Sequence, residues 1–338
     1  MIFTDKNKII RILFGMVVLI LIVYLIADKS SDLNASNHLK RLTPSEINVK
    51  FQNALRSFGL QKDWIKEVKY VNTEGKDVIA YLIKIPRDLP IPVILVEVFK
   101  TFDSTNVRLD SREKVMDGES LLKIYIGKKL ELFANLEYDD GINRNVGSAG
   151  FLITGIEQFD KNEIHKFLRS PESFAAVLIP SKASAQFASQ LTANRKEYVV
   201  ELTDGINELN FQLRKNFSHY RLKNAVRAII GNFSKAAFFI FNNRSEIYNS
   251  SAGRFIMNEF KKRRISLIPT DSLLQINTGN GKEIIPRFDT IMHRTKKGDY
   301  KLIMIPAVKF ILLQPGIVKL RKKGYKFINP SIIIVNRK

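Results

Sequence analysis

The sequence predicts an α/β protein: a mainly parallel sheet over residues 148–338, behind a small α+β region over 43–145 and one N-terminal transmembrane helix. Three observations predict it. After Gly147-Ser148-Ala149-Gly150, short apolar runs alternate with helical segments about seven times, the pattern of a parallel sheet, open or closed into a barrel. Between Thr43 and Tyr138 the elements are mixed instead of alternating. Ahead of both, Ile12 to Ala27 holds no charge and almost only large apolar side chains.

The N-terminal run is long enough, with Ile9, Ile10 and a snorkelling Arg11, to cross a hydrocarbon core of about 30 Å. It has none of the polar stripe of a surface helix. Lys6, Lys8 and Arg11 precede it, while Asp28 and Lys29 follow. The positive-inside rule therefore puts the N-terminus in the cytoplasm and the bulk outside. The alternative, a cleaved signal peptide, meets a poor cleavage site in Tyr24-Leu25-Ile26-Ala27-Asp28. Residues 1–29 are thus expected as an anchor, and residues 30–42, polar from Ser30 to His38, as a linker.

In the small domain, Thr43-Pro44-Ser45-Glu46 reads as a helix start with a capping box, and the helix is expected to run to Phe58 before Gly59. Val78–Ile85 reads as a strand. Pro90 and Pro92 open a helical or extended stretch to Phe102. Strands are expected at 107–109, 120–126 and 130–138. The only tryptophan, Trp64, is expected to pack this domain.

Over 148–338 the expected strands are 151–154, 175–179, 197–202, 228–231, 236–241, 265–268, 301–305 and 326–328. Helices are expected at 161–169, 184–193 and 252–262, with a helix or loop around 220–224. Pro315-Gly316 is expected to break the chain before a short helix to Lys323.

The chain has no cysteine, which excludes disulfides, thiolate metal sites and cysteine nucleophiles. Its net charge of +21 lies almost wholly outside residues 1–27. Such a charge favours anionic partners, namely acidic glycans or phospholipid headgroups, or it reflects a lysine-rich composition alone. Nucleic acid is not expected, because the anchor points the domain away from the cytoplasm.

Hydrolytic templates are thin. There is no Gly-x-Ser-x-Gly elbow. Thr278-Gly279-Asn280-Gly281-Lys282 lacks both the first glycine spacing and the following hydroxyl of a phosphate loop. His38, His165, His219 and His293 are scattered, with no i, i+4 pair for a helical zinc site. Lys261-Lys-Arg-Arg264 reads as a solvated helix end.

Several blocks in order carry a resemblance. They are Gly150-Phe-Leu-Ile-Thr-Gly-Ile-Glu157, Phe174-Ala-Ala-Val-Leu-Ile-Pro-Ser181, Arg195-Lys-Glu-Tyr-Val-Val-Glu-Leu202, Arg227-Ala-Ile-Ile-Gly-Asn-Phe-Ser234, Phe238-Phe-Ile-Phe-Asn-Asn-Arg-Ser245 and Gly324-Tyr-Lys-Phe-Ile-Asn-Pro-Ser331. Residues 148–338 thereby resemble the divergent polysaccharide deacetylase family. The resemblance implies a deformed (β/α)7-type barrel and, in the family, a metal-dependent deacetylase site. Here the paired aspartates it implies fall on Thr154 and Gly155, its histidines on Glu201 and Asn232, and a further aspartate on Asn242. Glu157 is the nearest carboxylate to the first pair. The resemblance therefore implies a barrel that has lost its metal ligands, so no metal or cofactor is expected and which residues would be catalytic stays open.

Glu201, Asn232, Asn242, Asn243 and Arg244 are expected to converge at the C-terminal mouth of the barrel. Asn and Arg suit the hydroxyls and carboxylates of a sugar. The group either binds glycan, retains some catalysis, or survives only to satisfy backbone groups at strand ends. The chain reads as a membrane-anchored, carbohydrate-directed protein of the bacterial envelope. The alternative is a non-enzymatic scaffold that binds a protein partner.

Overall fold

A computed structural model describes residues 40–336, apart from 72–74, 76, 115–117, 145 and 278. The expected anchor lies outside the described residues. Among the described residues, no helix is long and apolar enough to cross a membrane. The chain divides into two compact units, 1–143 and 144–338.

The first unit opens with α1 (Pro44–Ser57), whose Thr43 cap and Glu46 close the capping box, and Gly59 follows at φ 76°. Strands β1 (Ile65–Val71) and β2 (Asp77–Ile85) form an antiparallel pair. Helix α2 (Ile91–Phe102) leads to β3 (Val107–Glu113), β4 (Ser120–Ile126) and β5 (Lys129–Tyr138). The sheet order is β1-β2-β5-β4-β3, with only β2 and β5 parallel. Ile47, Phe51 and Leu55 of α1 and Ile94 and Val98 of α2 bury one face, with Trp64 in the same core. Strand β1 is absent from the sequence reading because its charged Ile-Lys-Glu-Val-Lys-Tyr-Val run carries an edge strand, where burial is slight.

In the second unit, parallel strands alternate with helices. These are β6 (Ser148–Thr154), α3 (Lys161–Arg169), β7 (Phe174–Leu178), α4 (Lys182–Ala193), β8 (Glu197–Leu202), α5 (His219–Asn232), β9 (Phe239–Phe241), α6 (Ser251–Lys262) and β10 (Leu267–Pro269). There follow β11 (Leu274–Gln275), α7 (Gly281–His293), β12 (Tyr300–Pro306), α8 (Ala307–Lys322), β13 (Lys326–Phe327) and α9 (Pro330–Asn336). The sheet order is β10-β9-β8-β7-β6-β12-β11, with β13 beside the start of β6. From β6 the strands ascend in chain order on one side, to β10, and descend from β12 to β11 on the other, so that β10 and β11 are consecutive in the chain but form the two unpaired edges.

That seam forces curvature. Only residues 270–273 separate β10 from β11, so the two edges lie at most about 17 Å apart. Seven strands laid flat would separate them by roughly 29 Å. The parallel sheet is therefore curled into a partial barrel.

Two cores result. Outside the curl, helices α3 to α8 bury an aromatic-rich layer in which Phe151 meets Phe310 at 5.0 Å and Phe327 at 5.5 Å. Inside it, Leu152, Val177, Val199, Ile240 and Leu302 pack with Ile333 of α9. The N-terminal end of the curl is closed by α9. Glu197 at the start of β8 accepts from Ser331 N at 3.0 Å and Ser331 Oγ at 2.5 Å. Gly150 makes room, because a Cβ there would stand 2.8 Å from Ile333 Cδ1.

Two local expectations are corrected. The strand expected at 228–231 is the end of α5, which Ser218 caps and whose Leu222, Ala225, Val226 and Ile229 share one buried face. The break expected at Pro315 is a continuous α8, because Pro315 is exposed and water can serve the Ile311 carbonyl that loses its donor. After β13 the chain adds a helix, α9, that was not expected from the sequence.

Candidate functional site

Alternate strand residues face the helices and the inside of the curl. On β8, Tyr198, Val200 and Leu202 face the helices while Val199 faces inward, so Glu201 also faces inward. On β9, Phe239 and Phe241 face the helices and Ile240 faces inward, so Asn242 follows on the inner side. The two meet, with Asn242 Nδ2 donating to Glu201 Oε1 at 2.9 Å. Glu201 is only 8 % exposed. Its loss of water pushes the carboxyl above the ordinary glutamate range, and the Asn242 bond partly opposes this.

The loop after β9 is internally tied. Asn242 Oδ1 accepts from Arg244 N at 3.0 Å, and Ser245 Oγ donates to Asn242 O at 2.6 Å. Asn243 N donates to Thr270 Oγ1 at 3.1 Å, and that hydroxyl donates to Asn243 Oδ1 at 2.7 Å. Asp204, after β8, accepts from Glu246 N at 2.8 Å. Arg244 is exposed. Glu201, Asn242, Asn243 and Arg244 thus gather at the C-terminal ends of β8 and β9.

Asn232 does not join them. It ends α5 on the outer layer, where its Nδ2 donates to Ala228 O at 2.9 Å. The expectation failed with the strand that was to carry it. Thr270 and Asp204 were missed, although each closely follows a short apolar strand run, because no block of the resemblance placed a site residue there.

Glu157, on the 3₁₀ turn after β6, lines a groove of about 760 Å³ between α3 and α4 with Lys161, His165, Ile179 and Phe187. The groove's lining includes neither Glu201 nor Asn242. Although Glu157 is exposed, the surrounding walls push its carboxyl upward. His219 stacks on Phe255, and His293 Nδ1 contacts Asp289 O. Lys261 and Lys262 lie in the last turn of α6, with Lys262 and Arg263 paired to Glu259.

The implied metal positions do not fit an ion. Thr154 and Gly155 offer no charge, Asn232 lies on the outer helix, and only Glu201 is anionic. Its raised proton affinity opposes cation binding. Among the described residues, no three His, Asp or Glu side chains gather as a ligand set. The arrangement offers a weak acid, two fixed carboxamides and one guanidinium at the strand ends.

No protein-family model matches the chain, and no curated protein matches it.

Proposed function

We propose that the chain is a carbohydrate-directed protein of the cell envelope, built on a deacetylase-like barrel, tethered by its N-terminal segment and lacking metal-dependent hydrolysis. The observation that carries this reading is the Glu201–Asn242 pair, facing inward at the C-terminal ends of parallel strands with Arg244 beside it. In curled parallel sheets, ligands are bound at that end. The strand order supports a (β/α)7-type barrel with one open seam between β10 and β11. The divergent polysaccharide deacetylase resemblance supplies the substrate class, by analogy of fold.

The test pairs acetate release with glycan binding. The purified chain is mixed with zinc and acetylated oligosaccharides, and separately titrated with glycans. Binding without acetate release, weakened at least tenfold in Arg244→Ala, is expected. Metal-stimulated acetate release would overturn the non-hydrolytic part, and failure to bind any glycan would overturn the reading. One observation favours a protein scaffold instead: Asn242 and Asn243 spend hydrogen bonds on Arg244 N and Thr270, within the protein itself. Glycan indifference would leave that scaffold.

A further inference from the structure

The charges around α5 are unevenly satisfied. The helix carries Arg221, Lys223 and Arg227 and no acid. One groove of about 460 Å³ is lined by Lys182, Gln212, Arg221, Asn224 and Asn232, among others. A second, of about 670 Å³, shares Gln212 and Arg221 and adds Arg214. The two grooves adjoin at Gln212 and Arg221, along the outside of the 204–217 loop and α5, and are together called the trough. Three acids, Asp204, Glu208 and Glu246, line the grooves as well. Glu246 pairs with Lys215 at 2.7 Å, Asp204 accepts from Glu246 N, and Glu208 accepts from Lys182 N at 3.4 Å. The Lys182, Arg214 and Arg221 side chains have no carboxylate partner among the described residues. Arg221 is held by its guanidinium lying 3.5 Å over the Phe217 ring, which leaves its N–H edge available.

The carboxamides narrow the ligand. Gln212 Nε2 donates to Asn207 O at 3.4 Å, and Asn232 Nδ2 donates to Ala228 O at 2.9 Å. Each amide therefore has its carbonyl oxygen left to offer, an acceptor that needs a donor. Sugar hydroxyls supply donors. A phosphodiester backbone supplies only acceptors and would satisfy the cations alone. Cations to pair carboxylates, interleaved with acceptors for hydroxyls, match a polymer that carries both.

We propose that this trough binds an acidic oligosaccharide of the uronic-acid type, with carboxylates on Arg214 and Arg221 and hydroxyls on Gln212 and Asn232. The proposal rests on the carbohydrate-directed reading above and adds, to the surface at the strand ends, a second one on the outside of α5. The test uses the full chain and two probes of equal length, tetragalacturonate and its methyl-esterified neutral form, measured by calorimetry at low and physiological salt. The expected result is binding of the acid form, at least tenfold weaker binding of the ester, and at least tenfold loss in Arg221→Gln and in Arg214→Gln. Loss of binding in Arg244→Ala but not in Arg221→Gln would overturn the trough and keep the glycan reading. Arg221-dependent binding of single-stranded DNA or of anionic lipid vesicles, without binding of the uronate, would overturn the acidic-glycan assignment. Binding of no glycan by the wild-type chain would overturn both.

Discussion

The two sheets bury their faces differently. In the first unit, β4 alternates buried and half-buried residues along its length, because helices cover one face only. Leu121, Phe133 and Asn135 lie on the other face, half-buried, and Tyr70 stacks on Phe133 there at 4.7 Å. In the second unit, β7 is buried at every residue from Phe174 to Leu178. Helices cover its convex side, and the curl with α9 fills its concave side. The difference is that between a mixed sheet with one apolar face and a parallel sheet with two. It also explains where polar groups collect. A sheet with two dry faces has room for Glu201 and Asn242 only at its strand ends.

The largest test of this contrast is a pair of aromatic truncations. Phe151→Ala empties the centre of the outer layer and should cost about 3–5 kcal/mol. Tyr70→Ala removes one stacking partner on a half-open face and should cost about 1 kcal/mol. Denaturant titration, with hydrogen exchange to report each unit separately, measures both, and equal costs would break the comparison. Next is Gly150→Ala, whose methyl would press on Ile333 Cδ1 at 2.8 Å and Ile328 O at 3.1 Å. About 1–3 kcal/mol of strain should fall on the α9 closure, read as faster amide exchange at 331–336. Ser218→Ala removes the acceptor for Arg221 N and should cost about 1 kcal/mol, seen as faster exchange in the first turn of α5.

The smallest effect concerns pH. Glu201 binds its proton more tightly in the folded chain than in the unfolded one. Its contribution to stability is therefore full below the ordinary glutamate range and falls as pH rises through the raised folded value. Glu201→Gln should remove that part of the slope. The variant should be the more stable at pH 7, with the advantage shrinking toward pH 4. Thermal melts across that range check this, and a wild-type chain that gains from Glu201 as pH rises would refute the buried-acid assignment.

Much of the fold was legible in local chemistry. Thr43, Pro44 and Glu46 spell out a helix start because the capping box is a contact within four residues. Strands β4 and β8 coincide with their expected limits because their runs are apolar and end at turns. The errors have one physical origin, a short apolar run read apart from its surroundings. Ala228 to Gly231 looks extended alone but completes the helical period begun at Leu222. Pro315 looks like a break, but the stripe Ala307, Phe310, Leu313, Ile317 and Leu320 runs straight past it. The candidate site divides in the same way. Asn242, Asn243 and Arg244 were legible because the resemblance of the 238–245 block put them directly after an apolar strand. Asn232 was misplaced because its position depended on a strand that is a helix.

By itself the sequence determined the alternation of strands and helices, the caps and the absence of thiol chemistry, because each depends on neighbours a few residues away. It also determined that Glu201 ends an apolar strand. Only the tertiary structure decided which face of that strand lies inside. When both faces are apolar, a period of two separates them without saying which is concave. The four-residue link between β10 and β11 curls the sheet, and that curl buries Glu201 against Asn242.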